Sequence, residues 1–100
     1  MAEKIEADYQ QLATIAKNFA QEADTVEQML KIIQTHLDNL EGGGWIGRGA
    51  NSFFAEMHDD VLPGVQRLQA ALEEASRVSG EIARMFREAE ETASNRFRVA

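Results

Sequence analysis

The chain reads as an all-α protein, two long antiparallel helices joined as a hairpin, and three observations predict it. Apolar residues recur at alternating steps of four and three over most of the 100 residues. Five of the seven glycines fall between Gly42 and Gly49, near the middle. The single proline, Pro63, is the only other strong breaker. One such chain makes one domain, and 44% apolar with 27% charged residues is ordinary globular composition.

The first helix is predicted over about residues 8 to 41. Its seam runs Ile5, Tyr9, Leu12, Ala16, Phe19, Ala23, Val26, Leu30, Ile33, Leu37, Leu40, and every position is apolar. Such a series keeps one helix face against a partner along its whole length. Lys17, Glu22, Asp24, Glu27, Lys31 and Asp38 fall between the seam positions and form a solvated face. Asp8 with Gln11 has the spacing of a capping box, which sets the expected start, although Ile5 is already in register. Gly42 suits the position just past the helix end, where a left-handed residue satisfies the last carbonyls.

The bend is predicted over about residues 42 to 48, because clustered glycines reverse a chain at no steric cost. Trp45, the only tryptophan, sits inside it. So large a ring gains nothing in a surface turn unless it packs on the helices or is offered to a partner.

The second helix is predicted over about residues 49 to 93. Its seam reads Phe54, Met57, Val61, Val65, Leu68, Leu72, Ala75, Ser79, Ile82, Phe86, Ala89, Ala93, Phe97, with Ser79 the one polar member. Pro63 lacks a donor and clashes with the carbonyl four residues back, so a kink is expected near it, and the continuing seam argues against a helix end. Gly80 lies mid-helix, which marks a close helix approach or a tolerated cost. The tail 94–100 has weak helix signals and is expected to fray. Both helices carry a flanking apolar row, Ile15, Met29 and Ile32 on the first and Ala71, Val78 and Met85 on the second. One intramolecular interface covers stripes that wide poorly, whereas two paired hairpins make a four-helix bundle that does.

Composition narrows the function. The net charge of -7 repels phosphate backbones and anionic lipid, which argues against nucleic acid and stable membrane insertion. No apolar run approaches membrane-spanning length, and Met1-Ala2-Glu3-Lys4-Ile5-Glu6 lacks the basic start and apolar core of a secretory signal. Without cysteine there is no disulfide or thiolate metal site. A bundle di-iron site needs Glu-x-x-His pairs, but Ile33 precedes His36 by three and Ala55 precedes His58 by three. Glu56, His58, Asp59 and Asp60 read as a solvated turn rather than a metal site. Two isolated histidines build no activated nucleophile, and the glycine stretch lacks the Gly-Lys-Ser/Thr ending of a phosphate cradle. No catalysis, cofactor or metal is expected.

Trp45 with Gly47, and Phe86 four residues before Glu90 on one helical face, remain unabsorbed by packing. Phe86 also reads as a seam residue, and Glu90 as one of several acids near it.

With about 100 residues, two heptad helices, Trp45-Ile46-Gly47 at the bend, and Ala50 with Phe53 or Phe54 opening the second helix, the chain resembles the WXG family of small ESAT-6-like proteins exported by type VII (ESX-like) secretion systems. The resemblance implies a hairpin that pairs antiparallel, with itself or with a second WXG-like hairpin, without enzymatic activity. It also implies that the tripeptide of one subunit and a C-terminal Tyr-x-x-x-Asp/Glu motif of the other form an export signal read by an FtsK-like ATPase. Trp45 and Gly47 match the first motif. Phe86-Arg87-Glu88-Ala89-Glu90 occupies the place of the second, with Phe86 in place of tyrosine, so the ring and carboxylate remain and the phenol hydroxyl is gone. The implied route is synthesis in the cytoplasm and secretion without a Sec-type signal. The alternative is a cytoplasmic structural or adaptor bundle in which Trp45 plugs one end; a membrane-active effector conflicts with the acidic polar faces.

Overall fold

In the computed structural model the described residues are 2–99, with side chains described over residues 8–96. Helix α1 spans Ala2–Gly42, α2 Arg48–Glu56 and α3 Leu62–Val99, and a π-helical turn, Met57–Val61, joins α2 to α3. No strand occurs among the described residues. The fold is the two-helix, all-α hairpin that the heptad series predicts. The chain divides into two compact units, Glu22–Leu72 and the pair Met1–Gln21 with Glu73–Ala100.

Element ends differ from expectation. The first helix begins at Ala2, six residues before Asp8, so Asp8 and Gln11 are helix interior rather than a capping box. The tail 94–98, expected to fray, is helical, and α3 continues to Val99. Ion pairs at i,i+4, Arg84 with Glu88 at 2.7 Å and Arg87 with Glu91 at 3.4 Å, support the turns leading into it. Gly42 is not left-handed: Gly44 at φ 85° and Gly47 at φ 125° are the positive-φ residues.

The unit 22–72 contains the bend and an apolar core. Leu30 and Leu37 of α1 are buried with Leu62 of α3, and Ile33, Phe54, Met57 and Val65 pack against them. Seam residue Val26 is also buried, as is Ala23, whereas Leu40 is 43% exposed. The π turn follows from Pro63. The ring has no N–H for the carbonyl of Asp59 and would press on it in a regular helix, so the turn before it widens. The N–H of Leu62 accordingly donates to the carbonyl of Met57, five residues back.

That extra residue moves the register. The buried side of the second helix steps from Met57 to Leu62, not to Val61, and continues through Val65, Gln69 and Leu72. Val61, expected in the seam, is 37% exposed, and Leu68 is 51% exposed.

The other unit pairs the first half of α1 with the second half of α3. Tyr9, Leu12, Ala16 and Phe19 are half-buried on α1, and Ser76, Ser79 and Gly80 on α3, with Ala83 buried. Ser76 Oγ donates to the Ala16 carbonyl at 2.7 Å. A Cβ built on Gly80 would lie 3.8 Å from the Ala16 Cβ, so Gly80 marks a close helix approach that still has room for a methyl group. Ile82, the expected seam residue here, is 38% exposed, and the adjacent Ala83 takes its place. Val65, Leu72 and Ser79 keep their expected inner places, and at the positions between them the widened turn brings the following residue inward. The seam positions Ile5 and Phe97 lie outside the described side chains.

Candidate functional site

The bend is built by glycines with distinct tasks. Gly43 closes the last turn of α1, its N–H donating to the Leu40 carbonyl at 3.3 Å. A Cβ there would stand 2.8 Å from the Asn39 carbonyl oxygen, a backbone atom that cannot move aside. Gly44 turns the chain with a left-handed φ. Gly47 caps α2 at φ 125°, ψ -179°, a conformation essentially confined to glycine. Its carbonyl accepts the Asn51 N–H at 3.0 Å and so starts the helix. A Cβ on Gly47 would meet nothing within 4 Å. The need for glycine there is therefore conformational rather than a matter of space.

Between these two turns the chain presents Trp45 and Ile46. The indole rests on a platform of rings at the start of α2, with centroids 5.4 Å from Phe53 and 5.4 Å from Phe54, while Phe53 and Phe54 lie 5.6 Å apart. The tilted and edge-on angles are those that aromatic quadrupoles favour. Phe54 also reaches the core cluster, so the indole is tied through it to Leu30, Leu37 and Leu62. Trp45 nevertheless remains 44% exposed and Ile46 84% exposed. One apolar ring is thus held in place from below and open from above. Close by, His58 Nε2 meets Glu41 Oε1 at 2.5 Å and bridges the end of α1 to the π turn.

The second pair of candidates lies in the other unit. Phe86 is 46% exposed. Glu90 is half-buried, and its Oε2 is buried without a hydrogen-bond partner among the described residues. The two residues are one turn apart on α3 but differ in presentation, the ring outward and one carboxylate oxygen inward. The spacing places the pair on one face, but it does not reveal that the register of α3 turns Glu90 toward its inner row.

The electrostatics outside the bend are those of exposed helix pairs. Arg77 bonds Glu74 through Nη2 at 2.6 Å and Nε at 3.1 Å, and Glu81 through Nη1 at 2.9 Å. Hydrogen bonding and charge from Arg77 hold the Glu74 carboxyl below its ordinary value, and the same carboxylates raise Arg77. Among the described residues no group of three or more His, Cys, Asp or Glu is arranged to hold a metal ion. No helix of the described residues is long and apolar enough to cross a membrane.

Comparison with curated proteins and with solved structures returned no match. The profile of the WXG100 family, described as proteins of 100 residues with WXG, matches residues 4–91, which include both helices, the bend and its Trp45-Ile46-Gly47. The glycine of that tripeptide is the residue whose backbone no other side chain readily adopts, and the chain belongs to the WXG100 family.

Proposed function

We propose that this protein is a non-enzymatic substrate, effector or chaperone-like subunit of a type VII (ESX-like) secretion system. It acts as an antiparallel homodimer, is recognised by an FtsK-like secretion ATPase, and leaves the cytoplasm without a Sec-type signal. Family membership supports the secretion system. The observation that carries recognition is Trp45, held on Phe53 and Phe54 yet 44% exposed, directly before a glycine-only turn. Such a ring is ordered before binding, so a partner that covers it loses little side-chain entropy. Phe86 with Glu90 is the second element of the proposed signal, its exposed ring being the part open to a partner.

Self-association is supported by surface the single chain leaves uncovered. Leu68, Val78, Ile82 and Met85 on α3 and Ile15, Met29 and Ile32 on α1 are all exposed. Exposed apolar residues in helical rows mark an interaction face.

Trp45→Ala tests the recognition reading. The indole is only partly buried, so the substitution should cost about 1–2 kcal/mol and leave the fold intact. Export, and capture by the purified ATPase, should be lost. Unchanged export at unchanged cellular abundance would overturn it. Sedimentation equilibrium tests the homodimer: a species of twice the 11.1 kDa chain mass is expected, and a monomer across the micromolar range would refute it.

A further inference from the structure

The last turn of α1 carries an acid and no base. Glu41 stands one residue before the helix ends at Gly42, where the aligned peptide dipoles disfavour a negative charge. A hydrogen-bond donor reaches it from another element, His58 of the π turn, whose Nε2 lies 2.5 Å from Glu41 Oε1 although the two residues are 17 positions apart. An ionised carboxylate only accepts, so the imidazole donates. By contrast, Lys31 with Glu27, Arg77 with Glu74 and Glu81, Arg84 with Glu88 and Arg87 with Glu91 each join residues three or four apart on one helix.

The π turn is what brings His58 there. Helix α2 turns Ala50, Phe54 and Met57 inward at steps of four and three, and α3 opens its inner row at Leu62, five residues beyond Met57. The extra residue lets both apolar rows face α1. His58 directly follows Met57, and Glu41 stands one turn beyond the buried Leu37, so the contact continues the core layer outward as a polar, partly exposed pair.

The segment that this contact encloses holds the exposed indole. It comprises the glycine bend with Trp45, then α2 with Phe53 and Phe54 under the ring. The two backbone hydrogen bonds of the bend are local, Gly43 to Leu40 on one side and Asn51 to Gly47 on the other. They shape the two helix ends without tying one to the other. Where the indole stands relative to α1 therefore depends on what fastens α2 to it, Phe54 and Met57 on the core side and His58 on Glu41 outside. All of these residues belong to the unit 22–72.

We propose that His58 is a positioning residue for Trp45. Its bond to Glu41 fastens α2 to the end of α1 and so holds the indole and its two-ring platform in the orientation open to a partner. The inference rests on the recognition role proposed for Trp45 and adds to it two residues outside the tripeptide.

Trp45 is the only tryptophan, so its fluorescence reports this place alone. His58→Ala should raise acrylamide quenching of Trp45 roughly twofold, a change of the size that loss of one exposed pair allows, with helicity and the urea midpoint nearly unchanged. Glu41→Ala should raise it to the same extent, although that substitution removes an acid from a helix end that disfavours acids. The double variant should go no further than either, because both changes remove one contact. His58→Arg keeps a donor and a positive charge and should return quenching to the wild-type value. Unchanged quenching in His58→Ala, additive changes in the double variant, or an arginine variant as accessible as the alanine one overturns the positioning role. Export of the same variants separates the two readings. If His58→Ala leaves quenching unchanged while Trp45→Ala stops export, the positioning role falls and recognition stands. If Trp45 is loosened and the variant is exported like the wild type, recognition through Trp45 falls and the positioning role stands.

Discussion

The two halves of the molecule solve the helix-pairing problem differently. The unit 22–72 closes on large apolar side chains, with Leu30, Leu37 and Leu62 buried and the indole of Trp45 resting on Phe53 and Phe54. In the unit made of residues 1–21 and 73–100 the described contacts rely on small residues and one cross-helix hydrogen bond, with Ala16 facing Gly80 and Ser76, while Ile82, Met85 and Phe86 point outward. Apolar area removed from water scales with side-chain size, so the first arrangement stabilises the chain by itself. The second brings helices close and leaves its large apolar residues exposed. The large apolar residues are thus buried in the first unit and left exposed in the second.

The largest expected effect breaks the first half. Leu37 is 3% exposed within the core cluster, so Leu37→Ala should cost about 2–5 kcal/mol in urea unfolding. Met85→Ala in the other half, where the side chain is 57% exposed, should cost the single chain about 0.5 kcal/mol or less while weakening the dimer. Equal losses for the two would erase the distinction.

Next is the bend. Gly47→Ala forces alanine to φ 125°, ψ -179°, at about 1–3 kcal/mol. With no atom within 4 Å of the new methyl group, the loss should appear in thermal unfolding without a rearranged bend in the crystal structure.

Gly80→Ala sharpens the comparison from the opposite side. The new Cβ meets Ala16 at ordinary contact distance, 3.8 Å, and alanine is the better helix former. The variant should be more stable by about 0.5–1 kcal/mol. A destabilised Gly80→Ala would show that the helices are packed more tightly there than this distance allows.

The smallest effect is electrostatic. Arg77 holds Glu74 below its ordinary value of 4.5 in the folded chain, so the pair contributes stability that is complete above that value. It is lost as pH falls below it through the folded value. An acid titration of helicity should show this loss in the wild type, and Glu74→Gln should remove that component. The groups are exposed, so the difference is small.

Much of this was legible along the chain. The seam of α1 needs only a period, and Ala23, Val26, Leu30 and Leu37 are buried where that period puts them. The bend needs only clustered glycines. The site was legible as residue types, Trp45 beside Gly47, but not as geometry. Nothing in the order of residues says that Phe53 and Phe54 lie under the indole, or that Gly44 and Gly47 take positive φ while Gly42 does not.

The second helix marks the boundary between the two kinds of information. Composition and periodicity determined that it is a helix, that Pro63 disturbs it, and that it carries more apolar surface than one neighbour covers. Which row faces inward was decided by tertiary structure. Pattern reading selects Val61, Leu68 and Ile82, whereas the π turn before Pro63 rotates Leu62, Gln69 and Ala83 to the inside. One extra residue in one turn swings every later side chain by about 100°. Because each row keeps the same four-three spacing, only the packed structure distinguishes the face that folds the chain from the face left exposed.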